Sequence, residues 1–134
     1  MSGTDLEEFY GTVEKLGDLR TTSHAQRWSD AVLRSLGLQL DRRAKKKLAA
    51  SLPEELANSL TRVFWLVHFR NRHLTRLEFQ NQVARRAGNS DTRFARLPIL
   101  AVFGGLRRFI SDDVDARVAQ SLSPEVRELW RQPS

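Results

Sequence analysis

Two stretches decide the fold: residues 25–36 read AQRWSDAVLRSL, and residues 95–106 read ARLPILAVFGGL. Apolar residues in both stretches recur three and four positions apart, which is the spacing of one face of an α-helix. The stretches also match each other at an offset of 70 residues, since Ala31-Val32 returns as Ala101-Val102. They therefore predict two equivalent helices that bury their apolar faces in a common core.

The match between the two halves continues without a gap on both sides of these stretches. Twelve identities fall in the 48 positions of 8–55 aligned with 78–125, where about three are expected from ordinary residue usage. Their members in the first half are Glu8, Phe9, Val13, Thr22, Ala25, Ala31, Val32, Leu36, Ala49, Ser51, Leu52 and Glu55. We therefore predict an all-α helical bundle without β-sheet, built from two tandem copies of a roughly four-helix unit at about 4–60 and 74–131.

Helix-capping residues recur in both copies. Thr4 with Glu7, and Thr75 with Glu78, have the spacing of a capping box and predict the start of the first helix in each copy. Further predicted N-terminal caps are Asp41, Ser111 and Ser123, and glycines expected to end the first helices are Gly17 and Gly88. These signals divide each copy into short helices.

The second helix differs between the copies. In the first copy it is predicted to run from about Ser23 to Gly37. In the second copy it spans about 91–108 and contains Pro98, where the helix either kinks or begins. Gly104 and Gly105 either weaken its later turns or permit a close contact with another helix.

One long apolar helix near 53–70 is predicted to join the copies within a single compact domain of residues 1–134. It carries Phe64, Trp65 and Phe69 next to Arg70 and Arg72. A helix that is apolar nearly all round is buried on several sides. Aromatic residues interleaved with arginines can also stack on nucleic-acid bases. The sequence leaves open whether Trp65 and its neighbours are core or contact surface.

The composition is that of a globular chain, with 40% hydrophobic and 28% charged residues among 134. The absence of cysteine excludes disulfides, thiolate metal sites and cysteine nucleophiles, and it favours a cytoplasmic location. No apolar run approaches the roughly 18 to 20 residues of a membrane span, and the first residues lack the pattern of a signal peptide. We therefore expect a cytoplasmic protein that does not cross a membrane.

Motifs that carry catalysis or bind cofactors are missing from the sequence. It contains no HExxH zinc motif, no GxSxG nucleophile elbow and no glycine-rich phosphate loop. His24, His68 and His73 lack the spacing of a metal site, and Asp112 and Asp113 have the positions of helix-capping acids. We therefore predict no catalytic, cofactor-binding or metal-binding residue and expect that the protein is not an enzyme.

Positive charge is concentrated in the centre of the chain. The net charge is +6, and residues 62–108 hold ten arginines against two acids, a local excess of about +8. Such a stretch can bind nucleic acid, anionic lipid or an acidic protein, or it can reflect an arginine-rich composition alone. A second basic run, RRAKKK at 42–47, is either a solvated helix face or an anion contact, and we expect its long side chains in solvent.

The order of the apolar motifs resembles the DUF2267 family, a set of bacterial and archaeal helical proteins. The motifs are Phe9 with Val13, then Ala31-Val32-Leu33 with Leu36, then LAASLP at 48–53. The second copy repeats the order with LEF at 77–79, LRRFIS at 106–111 and EVRELW at 125–130. The resemblance covers about residues 5–131 and implies a helical fold, with no activity attached to it.

The preferred function is a non-enzymatic interaction or adaptor module that acts through contacts with a protein partner or a second copy of the chain. The alternative is a basic nucleic-acid-binding module that uses 42–47 and the central arginines. The residues predicted to contact a partner or a polyanion are Arg42, Arg43, Lys45, Lys46, Lys47, Arg70, Arg72, Arg85 and Arg86.

Overall fold

The computed structural model describes residues 2–62, 71–89 and 91–132, and within these ranges the chain is helical without a β-strand. A short 3-10 helix, Thr92–Ala95, precedes the sixth of the described α-helices. The α-helices are α1 (Ser2–Gly17), α2 (Thr22–Gln39), α3 (Arg42–Ala50), α4 (Glu54–Thr61), α5 (Arg76–Arg86), α6 (Arg96–Arg107), α7 (Asp112–Ser121) and α8 (Pro124–Arg131). The predicted all-α class is therefore confirmed.

The helix bounds follow the offset of 70 residues. The helices α2, α3 and α4 begin at 22, 42 and 54, while the 3-10 helix, α7 and α8 begin at 92, 112 and 124. Burial follows the same offset, because Phe9 and Leu36 are fully buried and so are Phe79 and Leu106. Superposition of the two halves in space remains a prediction.

The predicted caps mostly form. The Asp41 carboxylate accepts a hydrogen bond from the Ala44 amide at 2.8 Å, and the capping box of Thr75 and Glu78 is complete. Ser111 and Ser123 likewise accept bonds from the amides three positions later. These bonds satisfy amides that have no partner within a helix.

Other predicted boundaries were wrong by a few residues. The helix α1 already includes Ser2, so Thr4 lies inside it, and α2 is capped by Thr21 and continues past Gly37 to Gln39. The helix α1 does end at Gly17, as predicted, and the residue with left-handed backbone is the following Asp18, with φ of +52°. After α5, the left-handed residue is Gly88, with φ of +78°, the glycine that was predicted to end this helix.

The core lies between α1, α2 and α6, with α5 and α8 closing one side of it. The most extensive helix pair is α1 with α6, and α2 packs on α1, α4, α5 and α6. The aromatic ring of Phe103 contacts those of Phe79 and Trp130, with centroid distances of 5.9 and 5.1 Å, respectively. The apolar faces that the sequence predicted therefore meet in one cluster.

The second-half helix begins at its proline and does not kink there. Thr92–Ala95 form a 3-10 turn, and Pro98 lies in the first turn of α6, where a missing amide hydrogen costs little. A Cβ on Gly105 would lie 2.9 Å from the ring atom Cε1 of Phe9. Gly105 therefore permits the close packing of α6 on α1.

The joining helix is described only in part. The helix α4 ends at Thr61, and the remainder of the predicted element lies outside the described residues. The same holds for Trp65, His68 and Arg70.

We expect Leu36→Ala and Leu106→Ala each to destabilise the protein by about 2 to 5 kcal/mol, since both side chains are fully buried. Urea unfolding followed by circular dichroism measures the change. A loss below about half a kcal/mol in both variants would contradict the core described above.

Gly37→Ala should be more damaging than its small size suggests. A methyl group at this position would collide with the backbone carbonyl oxygen of Leu60, so α2 and α4 would have to separate. We expect a loss of at least about 1 to 3 kcal/mol in unfolding free energy. Gly11→Ala is the matched control, because nothing lies within 4 Å of its position and alanine favours the helix by about 1 kcal/mol. Equal effects in the two variants would contradict the tight crossing.

Candidate functional site

The basic run on α3 is not a continuous exposed surface. Arg42, Arg43 and Lys46 are exposed, whereas Lys45 is only 5% exposed and Lys47 is half-buried. The expectation that all five side chains lie in solvent was therefore wrong at Lys45. Position 45 shares the inward face of α3 with buried Ala44 and Leu48, where an aliphatic stem can cover apolar surface. Burial lowers the pKa of the Lys45 ammonium.

Acidic residues of α7 compensate part of the charge on α3, because these two helices pack together. The Lys47 ammonium lies 3.3 Å from the Asp113 carboxylate in the first turn of α7. Asp112 and Asp115 are in the same turn, where the positive end of the helix dipole favours acids. The fold therefore brings acidic groups of the second half next to the basic run.

The remaining predicted basic residues lie on another part of the fold. Arg72 is exposed ahead of α5, and Arg85 and Arg86 occupy the last turn of α5. The helix α5 packs on α2, α6 and α8, whereas α3 packs on α4 and α7. Arg86 donates a hydrogen bond to the Ser35 hydroxyl at 3.1 Å, and burial lowers the pKa of its guanidinium. Within the described ranges, the predicted site residues are thus divided between two helix surfaces.

An apolar cleft lies where the end of α1 meets the start of α6. Two large apolar side chains, Phe94 and Leu97, remain 66% and 48% exposed beside it. The cavity has a volume of about 360 Å³. It is lined by Gly17, Asp18, Leu19, Trp28, Asn89, Arg93, Phe94, Leu97 and Pro98, which we call the apolar cleft.

The exposed apolar side chains have no counterpart in the first half. At the offset of 70 residues, Phe94 and Leu97 align with His24 and Arg27, which are exposed polar residues. Leu77, a further large apolar side chain that is 62% exposed, aligns with exposed Glu7. The helical fold therefore accepts polar side chains at such positions. This contrast between the halves was the sequence signal that could have located the cleft.

A second cavity is polar and lies between α1, α2 and α4. Its volume is about 440 Å³. Positions 23, 26, 27 and 30 of α2 contribute to it, and so do positions 55, 58 and 59 of α4 and position 62 directly after α4, with the same spacing of three and four residues. The lining residues, which we call the polar groove, are Tyr10, Ser23, Gln26, Arg27, Asp30, Glu55, Asn58, Ser59 and Arg62.

Hydrogen-bonded polar groups, two of them on the buried residues Tyr10 and Ser59, form the floor of the polar groove. The Ser59 hydroxyl donates a hydrogen bond of 2.7 Å to the Asp30 carboxylate, which also pairs with Arg34 at 3.1 Å. The Tyr10 ring is 6% exposed and its hydroxyl interacts with the Glu55 carboxylate. Burial, then the charges of Glu55 and Asp30, and the hydrogen bond with Glu55 raise the pKa of Tyr10 to about 12.

Among the described residues, no group of three or more histidine and acidic side chains is placed to hold a metal ion. His24 and His73 are exposed and lie on different elements. In the same ranges, none of the helices is long and apolar enough to cross a membrane.

These features define an all-α bundle with an apolar cleft, a polar groove and a divided basic surface. The chain belongs to the family described as uncharacterized conserved protein (DUF2267), whose model matches residues 6–129. The resemblance seen in the order of apolar motifs is thereby confirmed. A comparison with curated proteins gives no match.

Ionisation of Tyr10 can be followed directly, since it is the sole tyrosine of the chain. We expect the near-ultraviolet tyrosinate absorbance of the folded protein to rise with a midpoint near 12, against about 10 in urea. Neutral Tyr10 therefore contributes stability that is complete below pH about 10 and is lost as the pH rises through the folded pKa.

Glu55→Gln removes one of the charges that disfavour tyrosinate and should lower this midpoint, whereas Glu128→Gln on α8 serves as the control. A midpoint near 10 in the folded protein would contradict the buried setting of Tyr10.

Proposed function

We propose that the protein is a non-enzymatic, cytoplasmic interaction module that binds a segment of a partner protein in the apolar cleft. The observation that carries the proposal is the exposure of Phe94 and Leu97 at a cavity that Leu19, Trp28 and Pro98 also line. Burying such side chains against a partner releases water from apolar surface and favours association.

The size of the apolar cleft fits a protein segment with one or two large apolar side chains. Trp28 and Pro98 are buried and contribute apolar surface to the lining of the cleft. Aromatic and aliphatic anchors that enter such pockets contribute most of the binding energy in many protein interfaces. The cleft therefore supports recognition by a few anchor residues.

Charge favours an acidic partner segment over a second copy of the chain. Two copies that each carry a net charge of +6 repel one another at low salt. Exposed Arg93 lines the cleft, where its guanidinium pairs with Asp91 at 3.3 Å, and exposed Arg20 follows the lining residue Leu19 in the sequence. Acidic groups that flank an apolar anchor would complement these arginines.

The nucleic-acid alternative receives less support from the geometry. Two of the five charged side chains in 42–47 are buried or paired with α7, and Arg85 and Arg86 lie on a helix that packs elsewhere. Polyanion binding remains a separate outcome of the experiment below, recognised by its steep dependence on salt concentration.

Phe94→His with Leu97→Arg should abolish binding of acidic peptides that carry an apolar anchor. The two replacements are the residues that the first half has at these positions, so we expect the fold to persist. A panel of synthetic peptides, varied in anchor residue and in net charge, is titrated by fluorescence anisotropy. We expect the best peptides to bind at least about tenfold more weakly to the variant, which corresponds to roughly 1.4 kcal/mol.

Leu77→Glu is the matched control, because it replaces an exposed leucine outside the cleft by its first-half counterpart. Peptide binding that survives the double variant, or that is lost equally in the control, would contradict the proposal. Self-association detected by sedimentation and lost in the double variant would identify a second copy as the occupant. Salt-dependent binding of DNA or RNA alone would favour the nucleic-acid alternative.

A further inference from the structure

The polar groove contains acids whose hydrogen bonds are already made within the protein. Asp30 accepts a bond from the Ser59 hydroxyl and pairs with Arg34, and Glu55 interacts with the Tyr10 hydroxyl. Both carboxylates keep their charge, as the raised pKa of Tyr10 shows, and both therefore oppose an anion in the groove. Whether the groove binds an anion is decided by the positive groups that line it.

The two arginines that line the groove differ from the acids, because their guanidinium groups are not bonded to other groups of the described protein. Arg27 on α2 and Arg62, the residue after α4, line the same cavity, and both are exposed. Within the described part of the chain, neither guanidinium makes a hydrogen bond or an ion pair. The amides of Gln26 and Asn58 line the cavity alongside them. The open hydrogen-bonding capacity of the groove therefore consists mainly of donors.

In the second half, the arginine at an aligned position is paired within the protein. At the offset of 70 residues, Gln26 and Arg62 align with Arg96 and Gln132, and there the Arg96 guanidinium donates to the Gln132 side-chain oxygen at 3.0 Å. That bond joins α6 to the end of α8.

The floor residues differ between the halves in the same way. Asp30 and Ser59 align with Leu100 and Leu129, which the bundle packs as ordinary apolar residues. The polar floor and the two unpaired arginines are thus specific to the first half. The fold itself does not require them.

We propose that the polar groove binds a small oxyanion, the phosphate or carboxylate group of a polar metabolite, between the guanidinium groups of Arg27 and Arg62. Planar guanidinium groups match such anions with paired hydrogen bonds, and the amides of Gln26 and Asn58 supply further donors. The cavity of about 440 Å³ has room for a small metabolite. The net charge of +6 assists the approach of anions.

The proposal is tested by titrating the full chain with inorganic phosphate and with succinate at constant ionic strength, using chloride for compensation. Nitrogen–proton correlation NMR follows the backbone amides of α2 and α4 and the arginine side chains. We expect saturable shifts confined to the polar groove, and the stronger of the two ligands distinguishes a phosphate from a carboxylate group.

Arg27→Gln and Arg62→Gln should each weaken this binding about tenfold or more, because each removes charge-assisted hydrogen bonds to the anion. Arg42→Gln on α3 is the matched control with the same change in charge and an exposed side chain, and it should leave binding unchanged. Thermal unfolding verifies that all three variants remain folded.

The absence of saturable shifts with both anions would overturn the proposal, and so would equal weakening by all three substitutions, which indicates a diffuse charge effect. Binding in the groove is independent of the apolar cleft. Phe94→His with Leu97→Arg should therefore retain anion binding, so the failure of one proposal can be told apart from the failure of the other.

Discussion

The close crossing of α2 and α4 at Gly37 is the contact on which much of the first half depends. Only a glycine at this position lets the carbonyl oxygen of Leu60 approach the α2 backbone. The same crossing aligns Ser59 with Asp30, and thus forms the floor of the polar groove. Because α2 also buries Leu36 and carries Trp28 to the apolar cleft, its position couples the core to both surface cavities.

The two halves have similar patterns of buried apolar residues but different solvent-facing residues. Central core positions such as Phe9 and Leu36 keep their burial at the offset of 70 residues, and a change of volume there costs several kcal/mol. Positions that face solvent are free to diverge, and they do so at both cavities: the second half has exposed Phe94 and Leu97, while the first half has a polar floor at Asp30. One framework can therefore carry two chemically unlike surfaces.

Helix class, caps and most of the core follow from residue spacing, because they depend on local periodicity and on hydrogen bonds over three or four residues. The cavities do not, since they arise where separate helices meet. Lys45 illustrates the difference: its charge predicts solvent, but the packing of α3 on α4 and α7 buries its stem. Phe94 resembles a core residue by type, and only its aligned partner His24 signals that the position is exposed.

The turn after α1 contributes to the edge of the apolar cleft and contains a residue with an unfavourable backbone conformation. Leu19 donates its amide to the Glu14 carbonyl at 2.9 Å, and Asn89 donates to Ala84 at 2.8 Å in the equivalent turn after α5. The left-handed residue of that second turn is Gly88, whereas the first turn has Asp18. A side chain in this conformation costs about 1 kcal/mol. The carboxylate of Asp18 at the edge of the cleft is therefore present at a cost in folding stability. Its negative charge would orient a bound acidic segment so that the acidic groups of the segment lie on the side of the arginines.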